Sequence, residues 1–276
     1  MQRERGRDGG RRSGELVAGI PVNADFLQLP ARSAKPRQQG ITHVLDRGLS
    51  VAEVDGLIEV AGECVDLVKL GWGTALATGN LEPKLARYRE HGIPVVLGGS
   101  LTELAIAQER LERLIEWATA LGLEYFEISD GTIALPHERK LELIDRLTRD
   151  FTVLSEVGSK DDTGAITPPY LWVEQMRSEL DAGAWKVIAE GRESGTAGIF
   201  RPTGEVREGL IDEIVHEIDS GRILFDAPQK DQQVWFVRRF GPEVNLGNVP
   251  VGEVLALETL RLGLRSDTMG VQRRGS

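Results

Sequence analysis

WKVIAEGRESG, residues 185–195, begins as a covered strand and ends as a charged turn. Val187, Ile188 and Ala189 fill its middle, while Glu190, Arg192 and Glu193 arrive almost together at its end. One such segment decides little, because strands often close in charged turns. The same design recurs along the chain, and the recurrence decides the fold.

Short aliphatic runs stopped by Gly or Pro occur at THVLDRG (42–48), VDLVKLG (65–71), PVVLGGS (94–100) and YFEISDG (125–131). After them come FTVLSEVG (151–158), the opening segment, RILFDAP (222–228) and VNLGNV (244–249). Near-continuous apolar middles bounded by turn residues suit parallel strands covered on both faces. Strands are expected to begin near Thr42, Val65, Pro94, Tyr125, Thr152, Lys186, Ile223 and Val244. The intervening segments carry helical periodicity. LTELAIAQERLERLIEWATALG (101–122) reads as one amphipathic helix, and VREGLIDEIVHEIDSG (206–221) places Leu210, Ile211, Ile214, Val215 and Ile218 on one face. Eight strand–helix units predict an α/β fold, a single-domain (β/α)8 TIM barrel over residues 21–268. A doubly wound open sheet is the fallback, although no GxGxxG follows the first strand.

In such a barrel the active site is built at the C-terminal ends of the strands. Those ends carry Asp46, Lys69, Glu127, Asp130, Glu156, Lys160, Glu190, Arg192, Asp226, Asn245 and Asn248. Alternation puts Ile188 with Glu190, Leu154 with Glu156, and Leu224 with Asp226 on common faces. Taken singly, each polar residue is more often a solvated turn or a structural ion pair than a catalyst, as Asp46 beside Arg47 illustrates. Taken together they converge on one rim, which is the layout of a functional site.

Composition limits the partners. The chain has 276 residues, 41% hydrophobic and 28% charged, with a net charge of −10. That charge argues against nucleic acid or an anionic membrane as the main partner, and no apolar run is long enough to span a bilayer. The single Cys64 excludes an internal disulfide framework and fits a cytoplasmic setting. Residues 1–20, rich in Arg and Gly, and residues 269–276 are expected to be flexible tails. His43, His91, His137 and His216 lack ligand-like spacing, and Trp172 and Trp185 read as packing. Hard oxygen donors without a His or Cys set favour Mg²⁺. Lys and Arg at the same mouth suit a compact anionic phosphometabolite, with the GPEVNLGNVP stretch (241–250) as a phosphate-binding turn.

The ordered series DRGLS, VKLGWGTA, GGSLTE, EISDG, LSEVGSK, EGRESG, FDAPQKDQQVWF, VNLGNV and LETLRLGLRSDT resembles the phosphosulfolactate synthase family over roughly residues 40 to 268. The resemblance implies an eight-stranded barrel that adds sulfite to phosphoenolpyruvate with Mg²⁺, giving (2R)-phospho-3-sulfolactate for coenzyme M biosynthesis. It also implies Lys160 as the general acid, and Glu127, Glu156 and Glu190 at the metal or its water shell. Lys69, Arg192 and the turn of Asn245, Gly247 and Asn248 would hold phosphate or sulfite, and a homo-oligomer is expected. Asp226 stands where the resemblance leads one to expect Glu, and the Arg-rich N-terminal segment is extra. Two other readings stay open: another Mg²⁺-dependent lyase or aldolase on a phosphoenolpyruvate- or pyruvate-like acid, and a non-catalytic ligand-binding barrel.

Overall fold

The strands, in a computed structural model that describes residues 26–158 and 167–270, are β1 Thr42–Asp46, β2 Leu67–Leu70, β3 Val95–Leu97, β4 Tyr125–Ile128, β5 Thr152–Val157, β6 Lys186–Ala189, β7 Ile223–Asp226 and β8 Leu246–Pro250. All pair in parallel, in the order β3-β2-β1-β8-β7-β6-β5-β4, with helices between them. The N-terminal segment 1–20 lies outside the described residues, as does 271–276.

Three strands start later than the sequence suggests. β2 waits until Leu67 because a 3-10 turn, Gly62–Cys64, runs up to it and takes the Val65 N–H on the Gly62 carbonyl. β3 starts at Val95 because Pro94 has no N–H to donate to a ladder. β8 starts at Leu246 because the Asn245 side chain takes over the backbone's role there, as described below. The helix expected over 101–122 is two helices, Gly99–Ala107 and Leu111–Ala120, broken where Glu109 turns to φ 54°.

The barrel interior is layered by strand alternation. Ile41, Leu67, Val96, Leu154, Ile188 and Leu224 form a dry lower layer, floored by Tyr125 and Trp185 packed edge to face. Two residues on along the same strands come Lys69, Glu127, Glu156, Glu190 and Asp226, so the layer above is polar. The larger core lies between the barrel and its helices, where Trp172, Tyr88 and Phe225 are fully buried. Each side chain of that size contributes roughly 1.5–3 kcal/mol by leaving water. The floor is sealed by cations on strand-end carbonyls: Arg261 donates to the carbonyls of Val244 and Ile41, and Lys186 to Gln38 and Gly221.

One seam differs from the rest. β3 and β4 lie side by side, but among the described residues no backbone ladder joins them, so the barrel is nearly closed. The helix Gly99–Ala107 bridges the gap instead, through one backbone N–H and two side chains. Gly99 N–H donates to Glu127 Oε1 at 2.6 Å, and Thr102 Oγ1 donates to the Glu127 carbonyl at 2.7 Å. Glu103 accepts from Ser129 Oγ and from Thr132 N–H beyond the end of β4.

Candidate active site

The polar layer opens at the C-terminal mouth into a small cavity. Its lining includes Lys69, Glu127, Glu156, Glu190, Arg192 and Asn248, with the Gly98–Ser100 turn beside them. Lys69 stands at the centre. Its Nζ is 3.3 Å from Glu127 Oε1 and 3.9 Å from Glu156 Oε2. Burial alone would lower its pKa, but Glu127, Glu156, Asp226 and Glu190 together outweigh that and hold the ammonium above its ordinary range.

Glu156, Glu190 and Asp226, all buried, bring carboxylate oxygens within 4.8 Å of one another. This set differs from the one the sequence suggests. Glu127 pairs with Lys69 and accepts from the Gly99 N–H, and Asp226 stands with Glu156 and Glu190 in the cluster. Asp226 Oδ2 accepts from Asn248 Nδ2 at 2.7 Å and from Gly191 N–H at 3.2 Å. Burial pushes the Asp226 carboxyl up to about 7; Lys69 opposes that rise, and Glu156 and Glu127 add to it. Crowded carboxylates of this kind fit a divalent cation through hard oxygen donors.

Neighbouring elements fix these groups. Glu190 accepts from the Arg192 N–H, an arrangement that needs Arg192 at φ 57°. Gly158 and Gly198 press against Glu190 so closely that an added Cβ would strike its side chain or its carbonyl. Behind Glu156, the buried Lys140 donates to its carbonyl at 2.6 Å and pairs with Asp130 and Glu179, each at 2.9 Å. Glu179 in turn accepts from Ser155 Oγ at 2.6 Å. Asp46 faces the outer helices rather than the mouth, pairing with Lys84 at 2.6 Å and accepting from Tyr88 OH.

The expected phosphate turn separates into three roles. Asn248 lines the mouth, at φ 51°. Gly247 is a spacer: a Cβ there would lie 2.8 Å from Asp226 Oδ1 and 3.2 Å from His43 Nδ1, and its carbonyl accepts from Ala227 N–H. Asn245 is corrected to a floor residue. It sits at the start of β8, at the opposite end of the barrel. Its Nδ2 donates to the Gly221 and Ile223 carbonyls, and its Oδ1 accepts from Ile41 N–H. Lys160 lies outside the described residues.

Sequence reasoning passed over two residues. Asp226 shares the parity of Leu224, yet the sequence alone does not set it with Glu156 and Glu190. His43, weighed only as a ligand by spacing, is fully buried on β1, and neither ring nitrogen has a hydrogen-bond partner among the described residues. Burial, with Lys69 nearby, holds it well below its ordinary pKa, so it is a neutral imidazole. The alternation of THVLD carried the signal that could have found it.

A parallel barrel with cations and buried carboxylates converging on its C-terminal mouth belongs to the barrel enzymes. Its backbone resembles dihydrodipicolinate synthase from Bacteroides thetaiotaomicron, with TM-score 0.52 and 13% identity over 86% of this chain and 78% of that one, a likeness of fold alone. Residues 30–267 match the family described as (2R)-phospho-3-sulfolactate synthase (ComA). Phosphosulfolactate synthase of Bacillus subtilis is 42% identical over 90% of this chain and 99% of its own. The protein of the same name from Methanothermobacter thermautotrophicus is also 42% identical, over 89% and 97%. The chain belongs to the phosphosulfolactate synthase family.

Proposed function

We propose that the chain adds sulfite to phosphoenolpyruvate, giving (2R)-phospho-3-sulfolactate, with Mg²⁺ at the carboxylate cluster. The observation that carries this reading is the grouping of Glu156, Glu190 and Asp226 beside Lys69, under a mouth lined by Arg192. The fit to Mg²⁺ rests on three buried carboxylates and on Asp226 Oδ1, which has no donor among the described residues. When bound, Mg²⁺ supplies Lewis-acid stabilisation of the negative charge that develops on the substrate carboxylate.

The chain's own residues supply the rest. Sulfite brings its own lone pair, so no side-chain nucleophile is needed. The sulfur–C3 bond forms, the C2=C3 π pair moves onto C2 and its carboxylate, and a proton delivered to C2 completes the addition. Lys69 offsets the negative charge of the polar layer and holds Glu127 and Glu156 in place. Arg192 and the N-terminal turn of the helix Gly99–Ala107, which share the cavity wall, suit the phosphate. Lys160 is our choice for the proton at C2, on the family resemblance. The test is phosphoenolpyruvate consumption with and without sulfite, with the product identified by mass. Sulfite-dependent loss with formation of the sulfolactate is expected. Sulfite-independent loss, or none at all with Mg²⁺ supplied, overturns the reading.

A further inference from the structure

Four non-glycine residues among those described adopt a positive φ: Trp72 at 55°, Glu109 at 54°, Arg192 at 57° and Asn248 at 51°. Three of these, Trp72, Arg192 and Asn248, line the one mouth cavity. Strained backbone held at one site points to a use for the side chains it carries. Arg192 and Asn248 are accounted for by their hydrogen bonds to Glu190 and Asp226. Trp72 has no such account.

A bulky residue in the left-handed region is a conformational outlier, and glycine would sit there without strain. Its neighbour Gly73 does so at φ 65°. Burial does not compensate Trp72, which is 54% exposed, whereas Trp172 is fully buried. Over the indole lies the Arg47 guanidinium, 5.4 Å from the ring centroid. Arg47 rides on a rigid turn. Asp46 Oδ1 accepts from Gly48 and Leu49 N–H, each at 2.8 Å, while Lys84 and Tyr88 pin Oδ2. An exposed, strained indole thus lines the mouth, with a cation over its ring, at a site that must admit anions into a chain of net charge −10.

We propose that Trp72 and Arg47 form the outer, specificity-determining wall of this site. The indole gives a planar enol acid its apolar surface, and Arg47 supplies the outermost positive charge that draws the anion in. This rests on the function proposed above.

The test compares Trp72→Gly, Trp72→Phe and Arg47→Met with the wild type by thermal melting, steady-state kinetics and fluorescence titration with phosphoenolpyruvate. Trp72→Gly is expected to melt no lower than the wild type, because it relieves backbone strain, yet to raise KM for phosphoenolpyruvate about tenfold or more. Trp72→Phe, which keeps an apolar wall, should stay within about threefold. Arg47→Met should raise KM and flatten its dependence on ionic strength. Should Trp72→Gly melt lower, Trp72→Asn, also at home in that conformation, is judged by the same KM criterion. A folded variant lacking the indole but keeping wild-type KM and binding overturns the inference while leaving the reaction intact. A wild type that neither binds nor consumes phosphoenolpyruvate overturns the functional reading, and this inference with it.

Discussion

Asp226→Asn offers the sharpest test of how the polar layer is built. In the metal-free protein the carboxyl sits at about 7 against an ordinary value of 3.8, with burial the main cause. Between those two pH values the folded state keeps a proton that the unfolded state has released. Stability therefore falls as pH rises through that window, by at most about 4 kcal/mol. Asparagine carries no such charge. With its oxygen in the Oδ2 position it still accepts from Asn248 Nδ2 and Gly191 N–H, so those hydrogen bonds survive the change. Metal-free Asp226→Asn should thus be more stable than the wild type by about 1–4 kcal/mol at pH 8, with the advantage gone near pH 4. Urea denaturation of both proteins in EDTA, at several pH values, measures this. Adding Mg²⁺ should shrink the variant's advantage: the wild type gains about 3 kcal/mol at a hundredfold excess over its Kd, and the variant gains less. Equal or lower stability of the variant at pH 8, with an equal response to Mg²⁺, would refute the reasoning.

Four further outcomes follow from the same arrangement. EDTA should abolish sulfite-dependent turnover and Mg²⁺ should restore it; full activity in metal-free protein, checked by elemental analysis, counts against the cluster. Gly247→Ala should cost about 1–3 kcal/mol in denaturation, because the new methyl meets Asp226 and His43. Lys140→Met should cost about 3–5 kcal/mol by leaving the buried Glu179 without its cation, and wild-type stability would make that network dispensable. Lys160→Arg keeps a positive charge but is a poor proton donor, so phosphoenolpyruvate binding should persist while turnover drops about 10²–10⁴-fold; undiminished turnover removes Lys160 as the donor.

The barrel was legible because its evidence is local and repeated. Each strand needs only a covered apolar run and a turn, and Lys186 and Ile223 begin their strands where the sequence suggests. The boundaries that shifted depend on what the sequence does not display: the 3-10 turn before Leu67, and a side chain standing in for backbone at Asn245. The rim was legible as a group because parity carries Glu156, Glu190 and Asp226 to one face. Its internal division was not. Whether a carboxylate joins a cluster or pairs with a lysine depends on tertiary neighbours, and only these separate Glu127 from Asp226. Asn245 and Asn248 show the same limit. Three residues apart in one turn-like stretch, they serve opposite ends of the barrel.

The gap between β3 and β4 carries a consequence for how the fold and its chemistry depend on one another. Everywhere else the strands are joined by backbone, which tolerates almost any side chain. Here the joint passes through Glu127, which holds the Gly99 N–H across the gap while gripping Lys69 beneath the mouth. Whatever tightens the hold on Lys69 also tightens the last join of the cylinder, and whatever loosens it opens that join first. Hydrogen exchange of the β3 and β4 amides should consequently slow when the mouth is filled, more than at any other pair of strands. A seam of this kind ties the upkeep of the barrel to the same few groups that line its mouth.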